Sequence, residues 1–433
     1  MRGVLSLLRL LRTQWDTPAH LRRRQDAGLV RLVRHAYAHV PFYRQRFDAA
    51  GVTPRDIRGM EDLSRIPETT KQELQQAPRA HTVAAGADLS RCRRVWTSGA
   101  TGVPLETALS RSDASEMNAS FLRVQRAWGA RPWDRLASLD FRPDVLRQRS
   151  WYESFGLFRK RRLSSAATAS HWLEVLAAWR PRVLQGYSVT LQMLADAVAA
   201  SGRTDVNIPL VVSTSGTLHA HGRASIASAL HATVIDVYAS VEAGGVIAWE
   251  CPVCGGYHVD ADRLLVEFVR DGRPAAPGEE ADVLLTNLGN YTTPFIRYRH
   301  GDIVVPSAAV PRCGRALPLI GAVLGRDLDC LVLPSGGRVN PHAIWLAMDA
   351  CLGVGEWRVT QTQPDVVVVE FSARGTDVGE TTAGIVRGMR PLVGEHVTIE
   401  TRRMEKVPPD PRRKLRPIMS LIRAPGSSLA HCP

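Results

Sequence analysis

Lysine is scarce in this chain: only four of its 55 basic residues are lysines, at positions 71, 160, 406 and 414. The formal net charge is nevertheless +13, because arginine supplies the remaining positive charge. A bias this uniform is typical of codon usage, and the arginine clusters at 22–24, 91–94 and 159–162 lie far apart in sequence without interleaved aromatic residues. We therefore expect no nucleic-acid partner, although a diffuse positive field would attract anionic small molecules.

Long hydrophobic runs are also absent, since none reaches the roughly 18 residues that a membrane span requires. Residues 1–11 alternate leucine with arginine, and this pattern favours an amphipathic helix over a secretory signal. The seven cysteines are an odd number and mostly scattered, which argues against a disulfide framework. These features together predict a cytoplasmic protein with no membrane span.

The length of 433 residues is too great for one ordinary core and predicts two unequal domains. Short apolar runs between helical segments predict an α/β fold with mixed sheets and helices for residues 1–325. After residue 325 the pattern changes: 366–371 predicts a strand and 381–391 a helix, so residues 326–433 predict a small α+β domain. The tail at 425–433 is rich in glycine, serine and alanine and is predicted to be disordered.

The glycine-rich segment at residues 97–104 reads Thr-Ser-Gly-Ala-Thr-Gly-Val-Pro and follows a strand-like run. Glycine lets the backbone approach an anion closely, and the hydroxyl groups can bind phosphate oxygens. No Gly-Lys-Ser/Thr follows, which excludes a Walker loop. The segment alone predicts either a phosphate-binding loop or an ordinary connection.

Five elements in order resemble those of the adenylate-forming enzymes. Residues 97–104 resemble the family's phosphate loop, and Tyr-Ala-Ser-Val-Glu at 238–242 resembles its Tyr-Gly-x-Thr-Glu element. Arg-Tyr-Arg-His-Gly-Asp at 297–302 and Gly-Arg-Asp-Leu-Asp at 325–329 are similar to its Arg-Tyr-x-Thr-Gly-Asp element and hinge. Arg-Arg-Lys at 412–414 resembles the C-terminal Gly-Lys motif. The branch it resembles most is that of phenylacetate–coenzyme A ligases and capsular-polysaccharide enzymes.

The resemblance implies a nucleotide site for ATP. The residues that would hold its β- and γ-phosphates are Thr97, Ser98, Gly99, Thr101 and Gly102.

Other nucleotide contacts are also implied by the resemblance. Tyr238 would stack on adenine, and Glu242 would bind Mg²⁺, which prefers carboxylate and phosphate oxygens. Asp302 would accept hydrogen bonds from the ribose hydroxyls, and Arg326 would support the same nucleotide. Lys414 would bridge the acid and the α-phosphate during adenylation, because the small domain would act as a lid.

Departures from the family pattern include Ala239, Val241, Leu328 and Arg413. Val241 stands where a hydroxyl residue is usual, and the neighbouring Ser240 could supply a hydroxyl to the nucleotide instead. These departures keep open a degenerate nucleotide-binding scaffold that does not turn over.

A second constellation is independent of the nucleotide elements. Cys251 and Cys254 have the Cys-x₂-Cys spacing of a zinc knuckle, His258 follows, and Cys313 lies further along the chain. One imidazole and three thiolates complete a tetrahedral, closed Zn²⁺ site, and closed sites are structural. Three buried free thiols are the alternative.

The predicted function is ATP-dependent activation of a carboxylic acid to an acyl-adenylate with release of pyrophosphate, followed by acyl transfer. Coenzyme A is the favoured acceptor by resemblance, whereas a carrier-protein thiol or an amine remains an alternative. Trp133, Phe141 and Tyr187 could line an aryl site, but aryl, fatty and amino acids all remain open. A homodimer is left open as the assembly state.

Overall fold

The structure is a computed structural model that describes residues 2–97, 105–141, 143–147, 149–373, 377–407 and 417–422. The chain divides into two compact units. The first comprises Met1–Leu218, Gly222–His300 and Val305–Ala322, and the second His219–His221, Gly301–Val304 and Val323–Pro433. The division near Val323 lies close to the predicted boundary after residue 325, and the role of the second unit as a lid stays a prediction. The predicted disordered tail at 425–433 lies outside the described residues.

Twelve α-helices are found in the described ranges. They are α1 (Arg2–Thr13), α2 (Pro18–His39), α3 (Pro41–Ala49), α4 (Lys71–Gln76), α5 (Arg79–Thr82), α6 (Arg111–Ala127), α7 (Pro143–Arg147), α8 (Ala169–Trp179), α9 (Ser188–Ser201), α10 (Ala220–Leu230), α11 (Pro341–Asp349) and α12 (Val378–Val393).

Twenty strands are found in the same ranges. They are β1 (Arg93–Trp96), β2 (Glu106–Leu109), β3 (Leu136–Asp140), β4 (Lys160–Ser164), β5 (Val183–Tyr187), β6 (Leu210–Thr214), β7 (Thr233–Ser240), β8 (Gly245–Glu250), β9 (Tyr257–Val259), β10 (Leu264–Arg270), β11 (Arg273–Pro274), β12 (Ala281–Asn287), β13 (Tyr298–Pro306), β14 (Leu319–Arg326), β15 (Leu331–Val332), β16 (Arg338–Val339), β17 (Val354–Gln363), β18 (Val366–Ala373), β19 (Thr398–Arg403) and β20 (Ile418–Ser420).

Local sequence explains where several helices begin. Thr70 caps α4 in a capping box: its hydroxyl accepts from the Glu73 N–H, and the Glu73 side chain accepts from the Thr70 N–H. Proline occupies the first helical position of α2, α3 and α11, where its missing N–H costs nothing. The helix over 381–391 and the strand over 366–371 that the sequence predicts are confirmed as parts of α12 and β18.

Twelve strands form one sheet in the order β11-β10-β12-β13-β14-β9-β8-β7-β6-β5-β3-β4. The pairs β4–β3, β3–β5, β5–β6 and β6–β7 are parallel. The strands from β7 through β8 and β9 to β14 pair antiparallel. The parallel part places the carboxyl ends of β3, β5, β6 and β7 at one edge, which is where ligands bind in open α/β sheets.

Two of the hydrophobic cores in the described part of the first unit pack helices against strands. In one, Tyr43 and Phe47 of α3 pack with Phe295 and Tyr298 beside β13, and the Tyr43 hydroxyl donates to the Pro294 carbonyl at 3.0 Å. In the other, helices α8, α9 and α10 pack on the parallel strands, with the fully buried Trp172 among them. The predicted α/β class with mixed sheets is therefore confirmed.

The second unit has its own sheet, in the order β19-β18-β17-β20. Strands β17 and β18 pair antiparallel, whereas β19 and β20 pair parallel to their neighbours. Ile344 of α11 and Met389 of α12 are buried against Val367 and Val369 of β18. The predicted small α+β domain has this architecture.

Within the part of the chain that the structure describes, no helix combines the length and apolarity needed to cross a membrane.

Candidate functional site

Thr97 closes the base of the predicted phosphate loop. Its backbone N–H donates to the Leu105 carbonyl at 2.9 Å, and its hydroxyl accepts from the Leu105 N–H at 3.0 Å. The flanking strands β1 and β2 pair as a hairpin, with Trp96 opposite Glu106. Thr97 is buried, and its hydrogen bonds to Leu105 hold the two ends of the loop together. Ser98, Gly99, Thr101 and Gly102 lie outside the described residues, and their phosphate contacts stay predictions.

Glu242 lies in the tight turn that joins β7 to β8. Ser240 holds the first half of this turn, because its hydroxyl accepts from the Ala243 N–H at 3.1 Å. Asn287 holds the second half by donating to the Glu242 carbonyl at 3.2 Å. The turn needs glycine at Gly245, where φ is 126° and an added Cβ would meet Met117 and Ser120 of α6. Ser240 therefore has a structural hydrogen bond besides any nucleotide contact.

His300 joins Tyr238 and Glu242 and was missed by the sequence analysis. The Tyr238 hydroxyl and His300 Nδ1 are 3.2 Å apart, and the two rings meet edge to face at 5.9 Å. His300 Nε2 lies 4.0 Å from a Glu242 carboxylate oxygen. The structure thus brings together three residues from two motifs. Glu242 and His300 are 58 positions apart in the sequence. The sequence feature that could have identified His300 is its position inside the Arg-Tyr-x-Thr-Gly-Asp element, where it replaces threonine.

This arrangement suits a cation and a nucleotide. The Glu242 side chain is 12% exposed, so its carboxylate retains access to solvent while packed beside His300. A partly buried carboxylate is a hard oxygen ligand for Mg²⁺, and the residues present therefore fit the ion. The hydrogen bond to His300 holds the Tyr238 ring in one orientation, as a stacking surface for a base requires.

Asp302 and Arg326 form a second cluster, in the second unit. Arg326 Nε lies 3.5 Å from an Asp302 carboxylate oxygen. Asp302 is buried in β13, and Arg326 ends β14. Carboxylate oxygens can accept hydrogen bonds from a diol, and a neighbouring guanidinium can donate to the same ligand. The structure therefore brings these two predicted ribose-binding residues together.

Arg297 and Arg299, which flank the same motif, have structural partners. Arg297 pairs with Glu267 at 2.9 Å, and Arg299 pairs with Glu68 and Asp282 at 2.6 Å each. The backbone of Thr69 bonds to both, through Thr69 N–H to Arg297 O and Arg299 N–H to Thr69 O. The two arginines therefore anchor the N-terminal segment at 66–69 to β13.

A buried ion network supports the β7–β8 turn from below. Arg263 donates to the Gly244 carbonyl at 3.0 Å and to the Asp260 carboxylate at 2.7 Å. Arg123 of α6 is fully buried and pairs with Asp262 at 2.7 Å and with Asp260. Burial lowers the pKa of Arg263 to about 10, and Asp262 opposes that shift. No motif marks these residues in the sequence, because their contacts join segments far apart in the chain.

The four predicted zinc ligands meet in space. The ligand atoms of Cys251, Cys254, His258 and Cys313 all lie within 4.8 Å of one another. His258 Nε2 is 3.2 Å from the Cys313 sulfur, and the Cys313 N–H points at the Cys254 sulfur at 3.4 Å. His258 Nδ1 faces the Leu317 carbonyl at 2.9 Å, and this hydrogen bond leaves Nε2 to ligate. The donor set fits a closed Cys₃His zinc site.

The turn between Cys254 and His258 has a glycine requirement. Gly256 has a φ of 72°, and an added Cβ would meet the Ile320 carbonyl oxygen at 2.6 Å. Pairing of β9 with β14 then sets His258 opposite Leu319, close behind Cys313 in sequence. The fold thus positions the late cysteine beside the early three ligands.

The predicted aromatic lining of the acid pocket is only partly brought together. Phe141 and Tyr187 follow or end β3 and β5 at the carboxyl edge, and their rings lie 5.3 Å apart. Trp133 instead precedes β3 and is 63% exposed, at the opposite end of that strand. The structure therefore does not bring Trp133 together with Phe141 and Tyr187.

Several predicted positions are not described. Lys414 and Arg413 lie outside the described residues, as do the side-chain surroundings of Leu328. Their assigned roles therefore stay predictions.

No protein-family model matches the chain. Curated relatives match most of it. The phenylacetate–coenzyme A ligase of Thermus thermophilus is 28% identical over 334 residues, 75% of this chain and 74% of that protein. The protein of the same name from Escherichia coli K12 is 27% identical over 339 residues, 72% of each chain.

Solved structures share the fold. A 2-hydroxyisobutyryl-CoA ligase in the postadenylation state, in complex with R3-HIB-AMP, gives a TM-score of 0.80 at 19% identity, covering 94% of this chain and 91% of that one. An anthranilate CoA ligase in complex with anthranoyl-AMP gives 0.58 at 17% identity, covering 76% and 65%. Over about three quarters of its length the chain is thus similar to curated phenylacetate–coenzyme A ligases, and it shares the fold of solved coenzyme A ligases.

Proposed function

We propose that the protein activates a carboxylic acid with ATP and transfers the acyl group to coenzyme A. In the first step the substrate carboxylate attacks the α-phosphorus, and pyrophosphate leaves. In the second the thiolate of coenzyme A attacks the acyl carbonyl, and AMP leaves. The observation that carries this proposal is the meeting of Tyr238, Glu242 and His300 at the end of β7.

Each site residue that the structure describes would have a definable task in these two reaction steps. Glu242 would hold Mg²⁺, which supplies positive charge to the phosphate oxygens as negative charge develops. Tyr238, held by His300, would orient the adenine, and Asp302 with Arg326 would hold the ribose. Thr97 keeps the phosphate loop closed at its base. Such positioning converts an encounter of two anions into an ordered attack.

The acceptor is coenzyme A rather than a carrier-protein thiol or an amine, because the curated relatives carry coenzyme A ligase names. The degenerate scaffold remains the rival from another class, since Ala239 and Val241 depart from the motif.

The deciding experiment measures acid-dependent release of pyrophosphate across a panel of aryl, fatty and amino acids. Turnover with at least one acid is expected, and ATP binding without release across the panel would favour the scaffold. Adding coenzyme A, a carrier protein or hydroxylamine after adenylation then identifies the acceptor by the product formed.

We also propose one structural Zn²⁺ per chain at Cys251, Cys254, His258 and Cys313. Support comes from their convergence within 4.8 Å and from the hydrogen bond that orients His258. The ion would join the β8–β9 turn to the segment before β14.

A cytoplasmic location is part of the same proposal. All six cysteines in the described part of the chain are free, as in a reducing compartment. ATP and coenzyme A are available there.

A further inference from the structure

The amino ends of the parallel strands carry a surface that the proposed chemistry does not use. Arg135 directly precedes β3, and Arg159 directly precedes β4. Because β3, β4 and β5 run parallel, their starts meet at the edge opposite Tyr187 and Tyr238. Helix α8 returns to this same edge and ends there at Trp179.

Three guanidinium groups surround the indole of Trp179. The Cζ atoms of Arg135, Arg159 and Arg161 lie 5.3, 5.8 and 5.2 Å from the ring centroid. The indole N–H donates to the Leu136 carbonyl at 2.8 Å, which fixes the ring. Arg135 is further fixed by donating to the Trp179 carbonyl at 3.1 Å. The cluster is therefore a positioned group of positive charges.

These three arginines have no carboxylate partner in the described part of the chain. Among the residues that the structure describes, no ion pair includes Arg135, Arg159 or Arg161. Two acids of the neighbouring segments are already neutralised, since Asp134 pairs with Arg182 at 3.2 Å and Glu153 with Arg162 at 2.7 Å. Like charges this close are stabilised by an external anion, and guanidinium groups bind phosphate oxygens in a bidentate manner.

Apolar side chains project from the same edge. Phe155 is 75% exposed, Trp151 51%, and Leu157 39%. Trp151 and Phe155 lie on one short 3₁₀ turn with their rings 5.9 Å apart, and Gly156 in the left-handed region separates Phe155 from Leu157. The N–H of Phe158, the residue after Leu157, donates to the Pro132 carbonyl. This hydrogen bond places the turn beside the exposed Trp133.

We propose that this surface binds the face of an anionic membrane. We call it the amino-edge surface: Trp133, Arg135, Trp151, Phe155, Leu157, Arg159, Arg161 and Trp179. The arginines would bind lipid phosphates, and the apolar tip of Phe155 and Leu157 would enter the boundary between headgroups and acyl chains. Tryptophan at 133 and 151 has the ring type that favours this boundary.

Lipid fits the surface better than single-stranded nucleic acid. Bases stack on open aromatic faces, whereas the Trp179 ring is half-buried and already surrounded by guanidinium groups. Leu157 offers no stacking face, yet it gains from entering hydrocarbon. The arginine cluster at 159–162, which has no aromatic residue between its members in sequence, acquires one in space from α8.

Membrane binding would leave the proposed site open. Strand β3 has five residues and is therefore roughly 16 Å long, so the amino-edge surface and the carboxyl-edge site lie at opposite ends of the sheet. ATP and coenzyme A would approach from the aqueous side. The proposal does not depend on the proposed function.

The test is co-sedimentation of the full chain with vesicles of phosphatidylcholine alone and of phosphatidylcholine mixed equally with phosphatidylglycerol. Binding is expected only to the mixed vesicles. At about 1 kcal/mol per surface arginine, Arg159→Gln with Arg161→Gln should weaken binding about 30-fold. Phe155→Ser with Leu157→Ser should weaken it by about tenfold or more, since two apolar groups no longer insert.

Matched variants separate this surface from the general positive charge. Arg23→Gln with Arg55→Gln removes two exposed charges elsewhere, and Val310→Ser with Leu352→Ser removes two exposed apolar side chains elsewhere. Both should bind as the parent does. The two test variants alter different chemistry, so a folding defect in one, seen by circular dichroism, leaves the other informative.

Three results would overturn the proposal. One is no binding to mixed vesicles at low ionic strength. Another is equal weakening by the control pairs, which would assign the binding to net charge. The third is tighter binding of poly(U) than of vesicles with loss in the same test variants, which would make single-stranded nucleic acid the partner.

Discussion

At the scale of single residues, the carboxylate of Glu242 is the sharpest test of the nucleotide site. Glu242→Gln keeps the volume and the main-chain bond to Asn287 but removes the charge that would hold Mg²⁺. We expect acid-dependent pyrophosphate release to fall by about 10²–10³-fold, the effect of losing one charge-stabilising group. Glu61→Gln, at a side chain that is 92% exposed, is the control. Unchanged release in the Glu242 variant would remove this residue from the magnesium site.

Asp236 gives a prediction about pH. It lies two residues before Tyr238, its N–H donates to Glu250, and Tyr257 donates to its carboxylate at 3.1 Å. Burial, with Glu250 nearby, raises the pKa of Asp236 to about 7. Between about pH 4 and 7 the unfolded chain therefore loses this proton first, and the folded state loses stability as pH rises.

Asp236→Asn should remove that pH dependence. The variant should gain up to about 4 kcal/mol of unfolding free energy over the parent between pH 4 and pH 8, at 1.36 kcal/mol per pKa unit. Urea unfolding of both proteins at the two values measures it, and groups common to both cancel in the difference. Parallel curves for parent and variant would mean that Asp236 titrates normally.

The sequence motifs identified the candidate residues of the nucleotide site, but they did not identify the side chains that those residues contact. Tyr238 and Glu242 stand in a recognisable element, whereas His300 becomes a neighbour only when β13 folds beside the β7–β8 turn. Arg263 and Arg123 support that turn from below. The contact between Arg123 and Asp262 joins residues more than 100 positions apart in the sequence. Sequence spacing carries no record of such long-range pairs.

At the scale of elements, the cysteine cluster joins two segments that the sheet places side by side. Structural zinc contributes on the order of 10–16 kcal/mol in small peptides at neutral pH, so its loss should be felt in folding more than in kinetics. We expect one Zn²⁺ per purified chain by metal analysis. Cys313→Ser should lower both metal content and melting temperature.

Cys351→Ser is the matched control, because Cys351 is a half-buried thiol that belongs to the second unit and is not one of the four proposed ligands. It should keep the metal. Well under one equivalent of zinc in the parent protein would contradict the site, even with the four ligand atoms within 4.8 Å.

Element types followed from local pattern, while their arrangement did not. The apolar run predicted as a strand at 366–371 is confirmed within β18, because a buried strand is recognisable as a short β-branched run. The order of the twelve-stranded sheet is set by crossovers and loop contacts. Hence the sequence could not show that Phe141 and Tyr187 lie beside each other at the carboxyl ends of β3 and β5.

At the scale of the whole molecule, the chain length predicted two units and the composition predicted a positive charge, but neither showed where on the surface that charge lies. Arginines at 135, 159 and 161 become one cluster only because parallel strands align their starts around Trp179. The same parallel arrangement sends the proposed chemistry to the other edge. The parallel strand order therefore separates the proposed lipid-binding surface from the proposed nucleotide site.

The two units should be distinguishable by their use in the two half-reactions. The resemblance assigns Lys414 to the adenylation step, where its charge would bridge the acid and the α-phosphate. Lys414→Ala should slow adenylation by about 10²–10³-fold, equivalent to about 3–4 kcal/mol for a charge-assisted contact made mainly in the transition state. Acyl transfer started from synthetic acyl-adenylate should stay near the parent rate, because the resemblance implies that this lysine leaves the site before thiol attack. Lys406→Ala, at an exposed lysine of the same unit, is the control and should change neither rate. Equal losses in both half-reactions would indicate misfolding, and no loss in either would make Lys414 a solvated residue without a catalytic task.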